Sequence, residues 1–387
     1  MLIDQALPLL GGLSPAQFMR RHWHKKPLLI RQAVPGVVPP VTRSQAFELA
    51  AREEVESRLI VHQPQPTARG KMAWKLRHGP IARTALPPLK TPGWTLLVQG
   101  LDLHVPAAHE LLSRFRFVPE ARLDDLMISY ATEGGGVGPH LDSYDVFLLQ
   151  VQGRRRWRIG PVADRTLVDG VPLKILANFE PQQEWVLEPG DMLYLPPMWG
   201  HDGVAEGGEC MTCSIGFRAP SRGEMARELL QRLADIAADG ADDEDPRQTR
   251  LYRDPTQPAT NEPGRVPPAL ADFAAQAVRE WLADPQALAM AVGENLSEPK
   301  RSVWFEPGQA LAAGVAIELD ARSKMLYDDQ HVFINGESFR AGGRDARLMR
   351  RLADDRHLGA ADVARLSAEA VGLLSEWAQA GWVRVAS

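Results

Sequence analysis

Residues 134–142 read GGGVGPHLD, and this stretch decides the fold of the chain. The glycine run is not a phosphate-binding loop, because neither a Lys-Ser or Lys-Thr pair nor a helical pattern follows it. It predicts a flexible turn that leads into a β-strand. On that strand His140 and Asp142 stand two residues apart, so their side chains project from the same face. An imidazole and a carboxylate placed side by side can bind one metal ion.

A third ligand is predicted where residues 188–201 read EPGDMLYLPPMWGH. This is a turn, a short apolar strand, a Pro-rich turn and then His201 at the start of the next strand. The intervening strands of a small barrel would bring His201 back beside His140 and Asp142. Two histidines and one carboxylate leave coordination positions open, which is the ligand set of non-haem Fe(II) oxygenases. A lone histidine in a strand is more often a packed core residue, but the combination predicts a metal site at these three residues.

The context of these motifs is a series of short strands separated by Gly and Pro turns, from about residue 121 to 219. Examples of such strands are residues 126–130, 146–151, 156–159 and 192–195. Because no helix-length periodic stretch interrupts them, they predict antiparallel sheets closed into a sandwich or barrel. We interpret this core as a double-stranded β-helix of the cupin type.

The remainder of the chain predicts two further domains. Helical stripes occur at residues 222–238 and 270–290, separated by acidic and Pro-rich loops. After residue 305 short strands return, with a hairpin signal at Asn335-Gly336 followed by two helices. The predicted division is 1–219 for the oxygenase domain, 220–304 for a helical domain and 305–387 for a winged-helix-like domain.

A cation for an anionic cosubstrate is predicted in residues 153–159, GRRRWRI. Alternation along a strand places Arg155 and Trp157 on one face and the other three arginines on the opposite face. Arg155 could fork around a carboxylate with two charge-assisted hydrogen bonds. Ser129 could donate another hydrogen bond to that carboxylate. Alternation does not say which face is inside, so a solvated basic strand remains the alternative.

The composition argues against two classes of partner. Among 387 residues, 24% are charged and the net charge is -5, which does not favour broad nucleic-acid affinity. No apolar run approaches the ~20 residues that a membrane span needs, so we expect a cytoplasmic protein. The two cysteines, Cys210 and Cys213, lie in a strand pattern and point to opposite faces. We interpret them as buried apolar residues, with a zinc or redox pair as the alternative.

The sequence resembles the bacterial ribosomal oxygenases, JmjC-type enzymes of the YcfD type. The resemblance is carried by residues 124–129, 134–147, 153–158 and 214–220, with earlier segments at 21–28 and 57–60. It also covers the order of a JmjC domain, a helical dimerisation domain and a winged-helix domain. It implies a homodimeric Fe(II)- and 2-oxoglutarate-dependent dioxygenase that hydroxylates C3 of an arginine in a large-subunit ribosomal protein of the uL16 type.

The resemblance also implies roles for single residues. Fe(II) would be held by His140, Asp142 and His201, and 2-oxoglutarate by Arg155 and Ser129. The substrate pocket would include Asp125, Met127 and Tyr144. A buried Asp125 without a partner would be costly, so a guanidinium from the substrate is a sensible match.

Three alternatives stay open from the sequence. The enzyme could hydroxylate a histidine of another ribosomal protein, since the wider family includes such enzymes. It could be a different metal-dependent cupin enzyme, although those usually use three histidines and a glutamate. It could also be a scaffold that binds nucleic acid through its C-terminal module, a role against which the intact ligand set argues.

Overall fold

The computed structural model describes residues 2–63, 73–239, 250–300, 302–312 and 314–386. The chain divides into two compact units, one of residues 1–219 with 301–303 and one of residues 220–300 with 304–387. The acidic stretch predicted as a loop at 239–245 lies outside the described residues from position 240 onward. In the parts that are described, no helix is both long enough and apolar enough to cross a bilayer.

The first unit is mainly β-structure. Its helices are α1 Pro15–Arg21, α2 Arg43–Ala50 and α3 Pro106–Ser113, and its strands are β1 Leu28–Ile30, β2 Ser57–Gln63, β3 Ala73–His78, β4 Trp94–Val98, β5 Leu123–Ala131, β6 His140–Leu141, β7 Val146–Pro161, β8 Gln183–Leu187, β9 Met192–Leu195 and β10 Trp199–Phe217. The strands form one sheet in the order β1-β9-β7-β10-β5-β4-β2-β3, with β6 on β10 and β8 on β7. Every pairing is antiparallel. The predicted cupin-type core is confirmed.

Aromatic side chains join α1 to the strands that lead into the site. Phe18 on α1 lies 4.9 Å, centroid to centroid, from Tyr194 on β9 and 5.3 Å from Phe147 on β7. All three rings are fully buried. Since large aromatic rings dominate core energetics, this cluster fixes the N-terminal segment against β7 and β9.

One prediction about the strands was wrong. Residues 146–151 and 156–159 are not separate strands but parts of the single strand β7, and β10 likewise runs without interruption from Trp199 to Phe217. The chain continues because Gly153 takes a left-handed conformation (φ 63°), beside a register shift between Glu206 and Met211 on β10. The extra residues of this β-bulge, 207–210, lie on β10, opposite Gly153 of β7.

The second unit contains the remaining elements. Its helices are α4 Arg222–Asp239, α5 Pro268–Leu282, α6 Pro285–Ser297, α7 Gly343–Asp355, α8 Ala360–Val363 and α9 Ala368–Gln379, and its strands are β11 Ile317–Leu319, β12 Met325–Tyr327, β13 His331–Ile334, β14 Glu337–Arg340, β15 His357–Leu358 and β16 Val383–Val385. The strands form two three-stranded sheets. The predicted hairpin at Asn335-Gly336 is confirmed, with φ values of 51° and 90°.

A single helix over residues 270–290 was a wrong prediction. Helix α5 ends at Leu282, and α6 begins at Pro285. The Asp284 side chain accepts hydrogen bonds from the backbone N–H groups of Gln286 and Ala287, which is the geometry of a helix N-cap. Proline is favoured at the first position of a helix and disfavoured inside one, so this pair starts a new helix.

Replacing Gly153 by alanine should lower the free energy of unfolding of the first unit by more than the strain of a left-handed backbone would explain. A Cβ at Gly153 would lie 2.3 Å from the Glu209 carbonyl oxygen, whereas a Cβ at Gly170 (φ 74°) would meet nothing within 4 Å. We expect Gly170→Ala to cost about 1–2 kcal/mol and Gly153→Ala clearly more, since the backbone must also move. Urea unfolding of both variants checks this, and equal costs would contradict the role given to the bulge.

Candidate metal centre

The pairing of β6 with β10 brings the predicted metal ligands together. In this antiparallel register His140 stands directly opposite His201, and Leu141 stands opposite Gly200. Directly opposed residues have Cβ atoms about 4.5–5.5 Å apart. Asp142 follows β6 and lies next to both imidazoles. Residues distant in sequence therefore become neighbours by strand register.

The three side chains converge on a common point. Asp142 Oδ2 lies 3.5 Å from His201 Nε2 and 4.0 Å from His140 Nε2. The imidazole centroids are 4.1 Å apart, and one ligand atom from each residue lies within 4.8 Å of the others. Among the described residues no other group of His, Cys, Asp or Glu meets this criterion.

Backbone carbonyls orient both imidazoles. His140 Nδ1 lies 2.9 Å from the Gly138 carbonyl oxygen, and His201 Nδ1 lies 3.0 Å from the Trp199 carbonyl oxygen. With the proton on Nδ1 donated to these carbonyls, each Nε2 presents its lone pair to the centre. With both Nε2 atoms deprotonated, the two imidazoles and the carboxylate present only lone pairs to the centre, which fits a divalent cation.

The pKa values show how closely the three groups interact. Burial and the neighbouring His201 lower the pKa of His140 to about 4. Burial opposes the ionisation of Asp142, but hydrogen bonding to His201 and the charges of both imidazoles outweigh it, so the pKa of Asp142 falls to about 2. Burial lowers the pKa of His201, but the bond to Asp142 raises it, and the net effect is an increase. At neutral pH His140 is thus neutral and Asp142 ionised, the forms that bind metal.

Arg155 lies on the inner face of β7, as alternation allowed. It is 5% exposed, and its Nη1 donates a hydrogen bond of 3.1 Å to Ser129 Oγ on β5. Arg154 and Arg158 are exposed on the other face, and Trp157 is buried beside Arg155. The orientation that the sequence left open is therefore inward for Arg155.

The guanidinium of Arg155 fits an anionic ligand. Its Nε and Nη2 are buried and have no hydrogen-bond partner among the described residues. A buried cation with unsatisfied donors is costly unless a carboxylate or similar anion completes it. Guanidinium donors match a carboxylate with two parallel hydrogen bonds. The residues present thus fit the far carboxylate of a 2-oxoacid.

The contact that joins these two parts of the site was missed by sequence reasoning. The Trp157 ring lies 5.9 Å from the His201 ring and 5.7 Å from the Arg155 guanidinium carbon. Trp157 is opposed on β10 by Gly203, where an added Cβ would lie 2.6 Å from the indole. Glycine at position 203 therefore leaves space for the Trp157 ring, which contacts both the Arg155 guanidinium and His201. The glycine two residues after His201 was the available signal.

The predicted substrate residues occupy two elements. Tyr144 lies in the loop between β6 and β7, and burial together with the charges of Asp142, Asp125 and Asp124 raises its pKa. Asp125 is buried on β5, and Met127 follows it, half-buried, two residues along the same strand.

The expectation that Asp125 lacks a partner was wrong. The backbone N–H of Gly100 donates a 2.9 Å hydrogen bond to Asp125 Oδ2. This bond stabilises the carboxylate form of Asp125.

Cys210 and Cys213 are both free thiols, and both are fully buried in β10. Burial raises the pKa of the Cys213 thiol. A buried, protonated thiol is chemically inert, which agrees with the interpretation of this pair as core residues.

These features define a class of enzyme. A cupin-type sheet carries two histidines and a carboxylate on a common centre, with a buried, incompletely bonded arginine on a neighbouring strand. This is the arrangement of the 2-oxoglutarate-dependent dioxygenases, and the chain is an enzyme of this class that uses Fe(II), 2-oxoglutarate and dioxygen.

Comparison with known proteins identifies the family. A JmjC domain model matches residues 110–225, and a ROXA-like winged-helix model matches residues 270–384. The chain is 34% identical to the ribosomal protein uL16 3-hydroxylase of Escherichia coli, over 86% of this chain and 87% of that protein. It is 31% identical to a probable ribosomal oxygenase of Haemophilus influenzae, over 92% and 89% of the two chains. The chain belongs to the ribosomal oxygenase family.

Solved structures agree with this assignment. A crystal structure of Escherichia coli YcfD aligns with a TM-score of 0.81 and 29% identity, covering 97% of this chain and 98% of the other. The ribosomal oxygenase YcfD in complex with cobalt and 2-oxoglutarate aligns with a TM-score of 0.76 and 29% identity over 97% and 99% of the chains. The resemblance seen in the sequence motifs is confirmed.

Replacing Arg155 by alanine should weaken 2-oxoglutarate binding. Losing a hydrogen bond to a charged group costs about 1.5–3 kcal/mol, which predicts a KM for 2-oxoglutarate about ten-fold to one-hundred-fold higher. Arg154→Ala is the matched control, because it removes the same charge from the exposed face of β7. Steady-state kinetics with varied 2-oxoglutarate measures both variants. An unchanged KM in Arg155→Ala would mean that the cosubstrate carboxylate binds elsewhere.

Proposed function

We propose that this enzyme hydroxylates C3 of an arginine residue in a large-subunit ribosomal protein of the uL16 type. The similarity to the Escherichia coli uL16 3-hydroxylase over most of both chains supports the substrate protein. The observation that carries the choice of arginine is Asp125, a carboxylate buried on β5 (7% exposed) and two residues from Met127 on the same strand. A planar guanidinium is matched by carboxylates in such a partly buried site.

In this proposal each site residue has one task. His140, Asp142 and His201 hold the iron, while Arg155 and Ser129 hold the 5-carboxylate of 2-oxoglutarate. When bound, iron and 2-oxoglutarate supply the chemistry that places one oxygen atom of dioxygen on the substrate carbon and releases succinate and carbon dioxide. The chain supplies orientation and a dry environment.

The substrate side chain would enter past Tyr144. Asp125 would pair with the guanidinium, the thioether of Met127 would pack against its aliphatic stem, and the Tyr144 ring would cover it. Tyr144 is 38% exposed, more than the side chains of His140 (25%) and Asp142 (21%), so it offers a surface at the mouth of the pocket. If the target were a histidine, its side chain could match the charge of Asp125 only when the imidazole is protonated.

The target can be tested by mass spectrometry of ribosomal proteins. We expect uL16 from cells that contain the enzyme to be heavier by one oxygen atom than uL16 from cells that lack it, with the added oxygen on an arginine. Expressing the His140→Ala variant in cells that lack the enzyme should not restore the modification, because the metal site would lose one of its two imidazoles. Oxygen on a histidine would favour the histidine hydroxylase alternative, and no difference in any ribosomal protein would refute a ribosomal substrate.

We further propose that the enzyme is a cytoplasmic homodimer whose contact is formed by residues 220–304, with 305–387 as a separate winged-helix-like domain. The support for dimerisation is an exposed apolar stripe on α5. Leu270, Val278 and Leu282 recur at helical spacing and are 39%, 54% and 45% exposed. Exposed apolar stripes of this kind often mark interaction surfaces. Meeting its substrate on or near the ribosome would place the protein in the cytoplasm.

A charge on the stripe should separate the protomers. We expect light scattering to give the mass of a dimer for the wild type and of a monomer for Val278→Glu, because an unpaired carboxylate is costly in an apolar interface. Leu167→Glu, on a residue of the first unit that is 44% exposed, is the matched control and should stay dimeric. A wild type that is monomeric at micromolar concentration would contradict the proposal.

A further inference from the structure

A second buried carboxylate lies close to the metal centre. Asp145 ends the loop of residues 142–145 that begins with Asp142, and it directly precedes β7. Its side chain is 0% exposed. A buried carboxylate is costly unless its partners are well placed. Asp145 does not belong to the group of three metal ligands, so its burial needs another explanation.

Groups from three distant segments surround Asp145. The Tyr194 hydroxyl on β9 donates a 2.6 Å hydrogen bond to Oδ1. The backbone N–H of His24 lies 3.4 Å from the same oxygen and 3.0 Å from the Tyr194 hydroxyl, while His24 Nε2 lies 3.0 Å from Oδ2. Arg122 Nη2 is 3.9 Å from Oδ2. Asp145 therefore links the N-terminal segment, β9 and the start of β7.

The N-terminal partner is itself held in a special conformation. His24 has φ 56°, a left-handed conformation that non-glycine residues seldom adopt. The ring of the preceding residue, Trp23, packs edge-on against Phe217 with centroids 5.0 Å apart. These contacts direct the His24 N–H and imidazole at Asp145.

The loop is also held by its backbone at both ends. The Asp142 carbonyl accepts a 2.7 Å hydrogen bond from the Met198 N–H, and the Asp145 carbonyl accepts a 3.2 Å bond from the Phe217 N–H. Between these points stands Tyr144, which is 38% exposed. The position of the Asp145 side chain thus constrains both the metal-ligand carboxylate and the tyrosine at the pocket mouth.

We propose that Asp145 is a positioning residue for the metal centre, and that its bonds to Tyr194 and His24 hold the loop 142–145 so that Asp142 points at the two imidazoles. This rests on the proposed ligand set. Residues that orient metal ligands from outside the coordination sphere typically contribute 10-fold to 100-fold in metal affinity. The inference assigns that contribution to a carboxylate three residues beyond the ligand and to a segment near the N-terminus.

Titration of the purified full-length protein with Co²⁺ alone tests this, because it needs neither substrate nor turnover. We expect Asp145→Asn to weaken Co²⁺ binding about 10-fold to 100-fold and to change the visible spectrum of the bound ion. Tyr194→Phe should act in the same direction and less strongly. It removes one hydroxyl and keeps the ring packed on Phe18, so it decides the question if Asp145→Asn does not fold.

Two matched controls separate positioning from general loss of stability. Asp191 is also buried and accepts hydrogen bonds from Arg31 and from the backbone N–H groups of Gln32 and Glu188, away from the loop. The buried Tyr130 donates a 2.6 Å hydrogen bond to Glu209. Asp191→Asn and Tyr130→Phe should lower thermal stability yet retain wild-type Co²⁺ affinity and spectrum.

The outcomes are distinct. Wild-type Co²⁺ affinity in Asp145→Asn and Tyr194→Phe, or an equal loss in the two controls, would overturn the inference alone. If Asp142→Ala bound Co²⁺ as tightly as the wild type, the ligand set of the proposed function would fail and the inference with it. Weakening confined to Asp145→Asn, Tyr194→Phe and Asp142→Ala would support both.

Discussion

The antiparallel pairing of the two-residue strand β6 with the start of β10 is the constraint on which the site depends. It sets His140 directly opposite His201, so the backbone pairing alone brings the two imidazoles together. A slip of one residue in β6 would turn His140 to the other face of the sheet, away from His201. Pairing with β7 and β5 fixes the long strand β10, and with it the position of His201.

Burial of charge explains why the site is rigid. Asp142, Arg155 and Asp145 are all charged groups removed largely or wholly from solvent, and each is stabilised only in one geometry. Asp142 interacts with two imidazoles, Arg155 with Ser129, and Asp145 with Tyr194 and His24. A buried ion that loses its partner is strongly destabilising, so alternative positions of these strands are disfavoured.

The sequence was sufficient for those parts of the site that depend on local spacing. Alternation along a strand places His140 with Asp142, and Arg155 with Trp157, on common faces, but it does not give the inward direction of Arg155. Gly153 shows where this reasoning fails, since a glycine that reads as a turn lies here opposite a bulge of β10 and lets β7 continue. The link between Asp145 and His24 could not be predicted, because it joins residues 121 positions apart by a contact that no periodicity signals.

The gradient of exposure across the site bears on the kind of molecule that it accepts. His201 and Arg155 are 3% and 5% exposed, Asp125 is 7% exposed, and Tyr144 is 38% exposed. The cosubstrate end is thus enclosed, and exposure rises through His140 and Asp142, whose side chains are 25% and 21% exposed, to Tyr144 at the open end. A small free substrate would need walls on all sides to be oriented. A side chain presented by a larger protein needs only a deep slot with an open mouth, because its own backbone supplies the remaining contacts outside.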